Sequence, residues 1–213
     1  MDLKHIIPLV IHGDDADAHR RRSFTVVTMA SMLTDGSPWD TRILLYAIDR
    51  SRTRSETYDV LDAWVVWGLI QLQVGEFMSV DPFNAPIKQA TGQIAGPWRG
   101  VVVAMKGDEK HLQFTLKFKQ SWVSENVCSL CRASRSGVNL YTCFGPFAPH
   151  RQTTLTTERF ISEAVRPSAW IRYPGFGVEM IHFDYLHVVD LSIIPKSAAS
   201  VLWPGGWESL FGT

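Results

Sequence analysis

The sequence predicts an α/β domain built on a mixed sheet, and two observations lead to this prediction. The 213 residues are 46% hydrophobic and 20% charged, a composition typical of a globular chain with one sizeable core. Apolar runs of strand length and one run with helical spacing follow each other in the order strand, strand, strand, helix, strand. The composition excludes a disordered tail, and no apolar run reaches the roughly 18 residues that a membrane span needs.

Three short apolar runs predict the first three strands. Residues 6–11 form the first, which is expected to begin near Pro8 because proline is tolerated at the start of a strand. This run leads into a predicted turn at residues 12–17 that is dense in carboxylates. Residues 24–32 are β-branched and aromatic and predict the second strand, and residues 41–48 predict the third.

One helix and a fourth strand come next. Thr53 and Glu56 have the spacing of a capping box, and Gly75 stands where a C-terminal cap is expected after a run of helically spaced apolar residues. Residues 101–105 predict the fourth strand. Residues 112–118 fit both an alternating strand and i,i+4 helical pairs, and the fold favours the helix.

The rest of the chain is expected to be less regular. Residues 120–175 predict mainly irregular structure, residues 178–183 a last strand, and residues 184–194 a short helix before Pro195.

This element order matches ribonuclease H-like folds, in which strands one and four are neighbours. Asp14 follows the first predicted strand and Asp108 follows the fourth. Two carboxylates at neighbouring strand ends would hold Mg²⁺ or Mn²⁺, which prefer oxygen ligands. Asp15 and Asp17 compete for the first position, and ordinary solvated turn carboxylates are the alternative explanation.

The three cysteines predict a second metal site. Cys128 and Cys131 form a C-x-x-C pair, and Cys143 and His150 follow in the same irregular segment. Together they make a candidate Cys₃His zinc site, which would replace a missing core there. The alternative is three reduced cysteines that serve as small core residues. Too few cysteines are present for a disulfide framework, so a reducing, intracellular compartment is expected.

The zero net charge hides an uneven distribution. Residues 88–172 carry 12 basic and 5 acidic side chains, whereas residues 1–87 carry 8 basic and 12 acidic ones. A basic middle of this kind predicts contacts with nucleic-acid phosphates, and ordinary scatter of surface charge is the alternative. The candidate phosphate contacts are Lys106, Lys110, Lys117, Lys119, Arg132 and Arg135.

A late D-x-x-H element places Asp184 and His187 about one helical turn apart. The two side chains would share a metal or orient one another, and a helix cap with a structural histidine is the alternative. The role of His187 therefore stays open.

Four segments together resemble a known family. They are IPLVIHGDDADAHRRRSF, KGDEKH, NVCSLCRASRSG with LYTCFGPF, and FDYLHVVDLSIIP. In this order they are similar to eukaryotic DNA transposases of the Kyakuja–Dileera–Zisupton and Plavaka type, across most of residues 5–202. The resemblance implies a ribonuclease H-like core with acidic metal ligands and an inserted cysteine-containing segment.

By position, the resemblance assigns Asp14 and Asp108 as catalytic acids and Cys128 and Cys131 as the inserted pair. Asp184 and His187 match a D-x-(M/L)-H element near the end of the core. The resemblance does not assign the third acid, for which Asp184, Asp190 and Glu208 are the candidates, with Asp184 included in the predicted site. The expected organisation is a first part of the core at 1–119, an inserted segment at 120–175 and the end of the core at 176–213, with the chain a partial one.

The resulting functional hypothesis is a transposase-derived core for metal-dependent DNA cleavage and strand transfer. Its expected partners are DNA and a further transposase segment or a second copy, without a membrane, and its expected location is the nucleus. An inactive module that binds nucleic acid or protein is the main alternative, and a degenerate reading frame without function is a further one.

Overall fold

The structure is a computed structural model that describes residues 3–18, 22–88, 91–120, 123–143, 145–164 and 167–183. The strands are β1 (Ile6–Ala18), β2 (Arg22–Ser31), β3 (Arg42–Asp49), β4 (Arg99–Gly107) and β5 (Ile181–Phe183). The helices are α1 (Pro38–Thr41), α2 (Ser55–Val74), α3 (Glu109–Leu116) and α4 (Thr157–Glu163). Short 3₁₀ turns lie at Leu3–His5, Arg50–Arg52, Pro149–Thr153, Ala169–Arg172 and Val178–Met180. In this part of the chain no helix combines the length and the apolar character that a membrane crossing requires.

The strands form one five-stranded mixed sheet in the order β3-β2-β1-β4-β5. The first three strands pair antiparallel, β1 with β2 and β2 with β3. β1 then pairs parallel with β4, and β4 pairs parallel with β5. The α/β class and the mixed sheet predicted from the sequence are confirmed, and strands one and four are neighbours.

The first strand is longer than the sequence predicted. Residues 12–17 belong to β1 and do not form a turn, because β2 pairs with β1 without interruption from Leu9 to Ala18. β1 also begins at Ile6, before Pro8. Pro8 has no N–H to donate. Its carbonyl oxygen still accepts the N–H of Met32 at 2.9 Å, and this bond links β1 to the residue that follows β2.

The predicted α2 is present, but its N-terminus differs from the prediction. The N-cap is Arg54, whose N–H donates to the Thr57 hydroxyl at 3.1 Å, and Thr53 with Glu56 does not cap the helix. The Thr53 hydroxyl donates instead to the Arg50 carbonyl in the preceding 3₁₀ turn. Gly75 ends the helix as predicted, with φ of 83° and its N–H on the carbonyl of Gln71.

The second half of the chain is more ordered than predicted. The ambiguous segment forms α3, as the fold favoured. Within the segment predicted as irregular lies α4, which begins because the Thr156 hydroxyl accepts the N–H of Arg159. The helix predicted at 184–194 lies outside the described residues.

The core lies between one face of the sheet and helices α2 and α3. Leu9, Ile11 and Val102 contribute from the strands, and α2, α3 and the turn Ala169–Arg172 pack against them. The β1–β4 register shifts between Leu9 and Val10, and there the N–H of Val102 donates to the Tyr173 hydroxyl at 2.9 Å. The buried sheet face therefore sets the position of β4 against β1.

Candidate functional site

Two of the predicted acids stand at matching positions at one edge of the sheet. The parallel pairing of β1 with β4 ends at Gly13, which lies opposite Gly107. Asp14, within β1, and Asp108, directly after the end of β4, are the next residues along the chain. The sheet therefore brings the backbones of these two residues together from distant parts of the sequence.

The two glycines make room for the imidazole ring of His111. A Cβ at Gly13 would overlap that ring, and a Cβ at Gly107 would lie 2.9 Å from both the Gly13 carbonyl oxygen and the His111 Cδ2. Burial lowers the pKa of His111 to about 4, although the negative charges of Asp108 and Asp15 oppose the shift. His111 is therefore neutral near pH 7 and packs against the strand ends as an uncharged ring.

The carboxylate of Asp108 is held at the start of α3. Asp108 is the N-cap of this helix, and its Oδ1 accepts the N–H of His111 at 2.6 Å. An N-cap carboxylate also interacts favourably with the positive end of the helix dipole. The sequence signal for the cap was the Asp-Glu pair before the apolar residues of α3.

The structure distinguishes Asp14 from its competitor Asp15. Gly13 faces His111, and successive residues of a strand face opposite sides, so Asp15 shares the His111 side and Asp14 does not. Asp15 accepts a hydrogen bond from Thr25 at 2.9 Å and forms ion pairs with Arg50 and Lys110. The negative charge of Asp15 is thus compensated by two cations, whereas the Asp14 Oδ1 accepts the N–H of Asp15 at 2.7 Å on the other side of β1. The third competitor, Asp17, has no described side chain.

The described residues supply at most a two-carboxylate site. No group of three or more histidine, cysteine, aspartate or glutamate side chains within them could hold a metal ion. Mg²⁺ is commonly bound through one or two carboxylates, with phosphate oxygens and water completing its shell. The candidates for a third acid, and His187, lie beyond Phe183 and outside the described part of the chain.

A buried acid that the sequence analysis missed lies on α2. Asp62 is 2% exposed and accepts a hydrogen bond from the Tyr46 hydroxyl at 3.1 Å. Burial raises the pKa of Asp62 to about 7, against the opposing effects of Tyr46, Trp170 and Lys117. The available signal was its spacing, because Asp62, Val66 and Leu69 follow the i, i+4, i+7 pattern of a buried stripe.

The four predicted zinc ligands are only partly brought together. Cys128 and Cys131 are hydrogen-bonded neighbours, and the N–H of Leu130 donates to the Cys128 Sγ at 3.4 Å. Burial raises the pKa of the Cys131 thiol to about 11. Cys143 is exposed, and the His150 Nδ1 lies 3.2 Å from the Leu140 carbonyl oxygen. Since these four described residues form no metal-holding group, zinc stays a prediction.

The predicted basic residues do not share one setting. Lys117 is mostly buried in an ion pair with Asp59 at 2.6 Å, and Lys110 pairs with Asp15. Lys106 and Arg135 are exposed, Lys106 at the end of β4 and Arg135 in the loop after the cysteine pair. Lys119 and Arg132 line the cavity that is described below. The basic residues that are concentrated in the middle of the sequence therefore lie in several different surroundings and do not form one continuous basic surface.

No protein-family model matches this chain, and no curated protein or solved structure matches it either.

Proposed function

We propose that this chain is a ribonuclease H-like transposase core that cuts and joins DNA phosphodiesters with a divalent cation held by Asp14 and Asp108. One observation carries the proposal. In the sheet order β3-β2-β1-β4-β5, β1 pairs parallel with β4 up to Gly13 and Gly107, the residues directly before Asp14 and Asp108. Ribonuclease H-like enzymes use acids at the ends of these two strands, and the sequence resemblance to Kyakuja–Dileera–Zisupton and Plavaka transposases assigns the same two residues.

The donor chemistry at this edge fits Mg²⁺ or Mn²⁺. Both acids offer carboxylate oxygens, which are the ligands that these cations prefer. The neighbouring imidazole of His111 is uncharged near pH 7 and therefore does not repel a cation. A bound divalent cation would polarise the phosphodiester and lower the pKa of the attacking water or 3′-hydroxyl.

The chain's own residues would position the phosphate and the acids. Asp108 is held by the N–H of His111 and is therefore restrained before substrate binds. Lys110 lies two residues further on, in the first turn of α3, with its side chain 55% exposed. Its ammonium group would contact a phosphate beside the acids without reading the base sequence.

A nicking assay on supercoiled plasmid DNA with Mn²⁺ tests this proposal. We expect Asp14→Asn and Asp108→Asn each to lower the cleavage rate by about 100-fold or more, because even residues that only support metal ligands contribute 10–100-fold. Asp35→Asn is the matched control, since Asp35 is an exposed turn residue. Equal cleavage by wild type and both variants would refute the proposal, and so would a loss of cleavage in Asp35→Asn alone.

The second candidate function is a non-catalytic module that binds DNA or protein. It is favoured by one observation, that the described residues contain no group of three metal ligands. DNA binding without any cleavage, unchanged in Asp14→Asn and Asp108→Asn, would support this alternative.

A further inference from the structure

A cavity of about 410 Å³ lies between the C-terminal end of α3, the loop that carries the cysteine pair, and α4. This volume is within the range that small-molecule sites occupy. Its walls combine cationic, amide, thiol and aromatic side chains. The lining residues on which the argument depends are Lys119, Arg132, Gln120, Asn126, Phe118 and Phe160.

The charge around the cavity favours an anionic ligand. Glu163, the carboxylate on the cavity wall, accepts a hydrogen bond from Arg159 at 2.8 Å and another from Arg132. These arginines lower the pKa of Glu163 and compensate its charge. Lys119 stands on the same wall, exposed and without an ion-pair partner among the described residues. A phosphate group is therefore attracted to the side of the cavity formed by Lys119 and Arg132.

The polar side chains that remain suit a base edge. The side-chain amides of Gln120 and Asn126 make no hydrogen bond to any other described residue, and each amide offers both donors and an acceptor. The backbone at Gln120 is held, because its carbonyl accepts the Gln113 amide at 3.0 Å and the Ser129 hydroxyl at 3.5 Å. Two amides that line one cavity can therefore bind the polar edge of a nucleobase.

An aromatic wall completes the site. Phe118 meets Phe160 edge to face, with ring centroids 6.0 Å apart, and Phe160 packs in turn on Phe176. Phe160 is 7% exposed and so is held by the core, whereas Phe118 is only half-buried. Aromatic side chains in a nucleic-acid site can stack on any base and need no particular sequence.

We propose that this cavity binds one nucleotide of a DNA strand, with the phosphate at Lys119 and Arg132 and the base beside Phe118, Gln120 and Asn126. The inference extends the proposed function, because it assigns a place to one nucleotide of the same substrate. α3 begins next to Asp108 and ends at the cavity wall, and its eight residues span about 12 Å. A strand bound at the acids would thus reach the cavity along one helix.

The cysteines provide the test, because Cys128 and Cys131 line the cavity and the exposed Cys143 does not. Freshly reduced protein is alkylated with N-ethylmaleimide, alone and with dTMP or (dT)₈, and each cysteine is followed by peptide mass spectrometry. At ten times the dissociation constant, we expect the alkylation of Cys128 and Cys131 to slow about tenfold. Alkylation of Cys143 should not change. (dT)₈ should protect at lower concentration than dTMP, because its additional phosphates add affinity.

Substitutions then locate the ligand. Lys119→Ala and Asn126→Ala should each raise the dissociation constant that the protection reports by about tenfold, whereas Lys88→Ala, at an exposed cation outside the cavity, should not. Equal protection of all three cysteines, absence of protection, or equal weakening by Lys88→Ala would overturn the proposal. Protection by dTMP but not by (dT)₈ would overturn the assignment to a DNA strand.

The result is separable from the proposed cleavage. Asp108→Asn should leave the thiol protection unchanged, because Asp108 lies at the other end of α3. Lost protection with retained cleavage would refute the nucleotide site alone, and retained protection without cleavage would refute the catalytic proposal alone.

Discussion

The sheet edge and the cysteine segment were both predicted as metal sites, and the structure treats them differently. At the edge, Asp14 and Asp108 each follow directly after the last paired residues of β1 and β4, Gly13 and Gly107. In the cysteine segment, only Cys128 and Cys131 come together. Pairing of β1 with β4 brings the backbones next to Gly13 and Gly107 together, whereas the cysteine segment leaves Cys143 exposed. The sheet with α2 and α3 should therefore be sensitive to substitution, and the exposed Cys143 should be tolerant.

The largest expected effect on stability concerns Asp62, which lies on the buried side of α2. Its pKa of about 7 lies above its ordinary value of 3.8, so the unfolded chain releases this proton at lower pH than the folded chain does. The stability contribution of Asp62 is therefore greatest below pH 4 and falls by about 4 kcal/mol as the pH rises to 7, at 1.4 kcal/mol for each pKa unit. Asp62→Asn should remove this loss in urea unfolding measured across that range. A stability difference between wild type and D62N that does not change with pH would contradict it.

His111, at the sheet edge, should show the opposite pH dependence. Its pKa of about 4 lies below its ordinary value of 6.5, so the unfolded chain binds the proton first as the pH falls. The wild type should lose about 3 kcal/mol from this group between pH 6.5 and 4. His111→Gln should lack this loss of stability. The D62N variant should show the full loss, because in the wild type Asp62 becomes more stabilising over the same pH range and partly offsets it. Equal acid sensitivity of wild type and H111Q in urea unfolding would argue against a buried neutral ring.

A smaller effect is expected from the contact between the edge glycine and that ring. Gly13→Ala places a methyl group where the imidazole of His111 lies, and overpacking of this kind costs about 2 kcal/mol. Urea unfolding midpoints measure the loss. Gly68→Ala is the matched control, because Gly68 lies in α2 with open space around it, and there alanine should stabilise by up to about 1 kcal/mol.

His111→Ala should rescue the substitution, since it removes the ring that the methyl group meets. If Gly13→Ala leaves the midpoint unchanged, the ring does not pack on the strand ends.

The smallest effect is expected in the cysteine segment. Cys143 is exposed, so Cys143→Ser should change the free energy of unfolding by about 0.5 kcal/mol or less. Cys131→Ser should cost more, since this thiol is partly buried and hydrogen-bonded to Cys128. Equal losses for the two substitutions in urea unfolding, together with one bound zinc per chain, would show that the four predicted ligands do share a metal.

The elements that were predicted well from the sequence are those whose apolar residues recur at regular spacing or form a run of strand length. Apolar runs and helical spacing located β2, β3, β4 and α2 closely, and the element order correctly made β1 and β4 neighbours. The carboxylates after Ile11 were mistaken for a turn because aspartate is rare in strands. These aspartates lie in β1 because β2 pairs with β1 from Leu9 to Ala18. Pairing is a property of two segments, and one segment alone does not reveal it.

The site was predictable in part for the same reason. Asp108 could be located because it ends a strand and caps a helix, two local signals that agree. The choice between Asp14 and Asp15 could not be made, since it depends on which side of β1 faces His111, Arg50 and Lys110. The burial of Asp62 depends likewise on contacts between α2 and β3.

The most direct test of the central claim is Mn²⁺ binding followed by electron paramagnetic resonance of the free ion. We expect wild type to bind one Mn²⁺ between Asp14 and Asp108, and Asp14→Asn and Asp108→Asn each to weaken this binding by about tenfold or more. The double variant should be little worse than either single one, because both acids serve one ion. Unchanged affinity in both single variants, or weakening by Asp15→Asn alone, would contradict it.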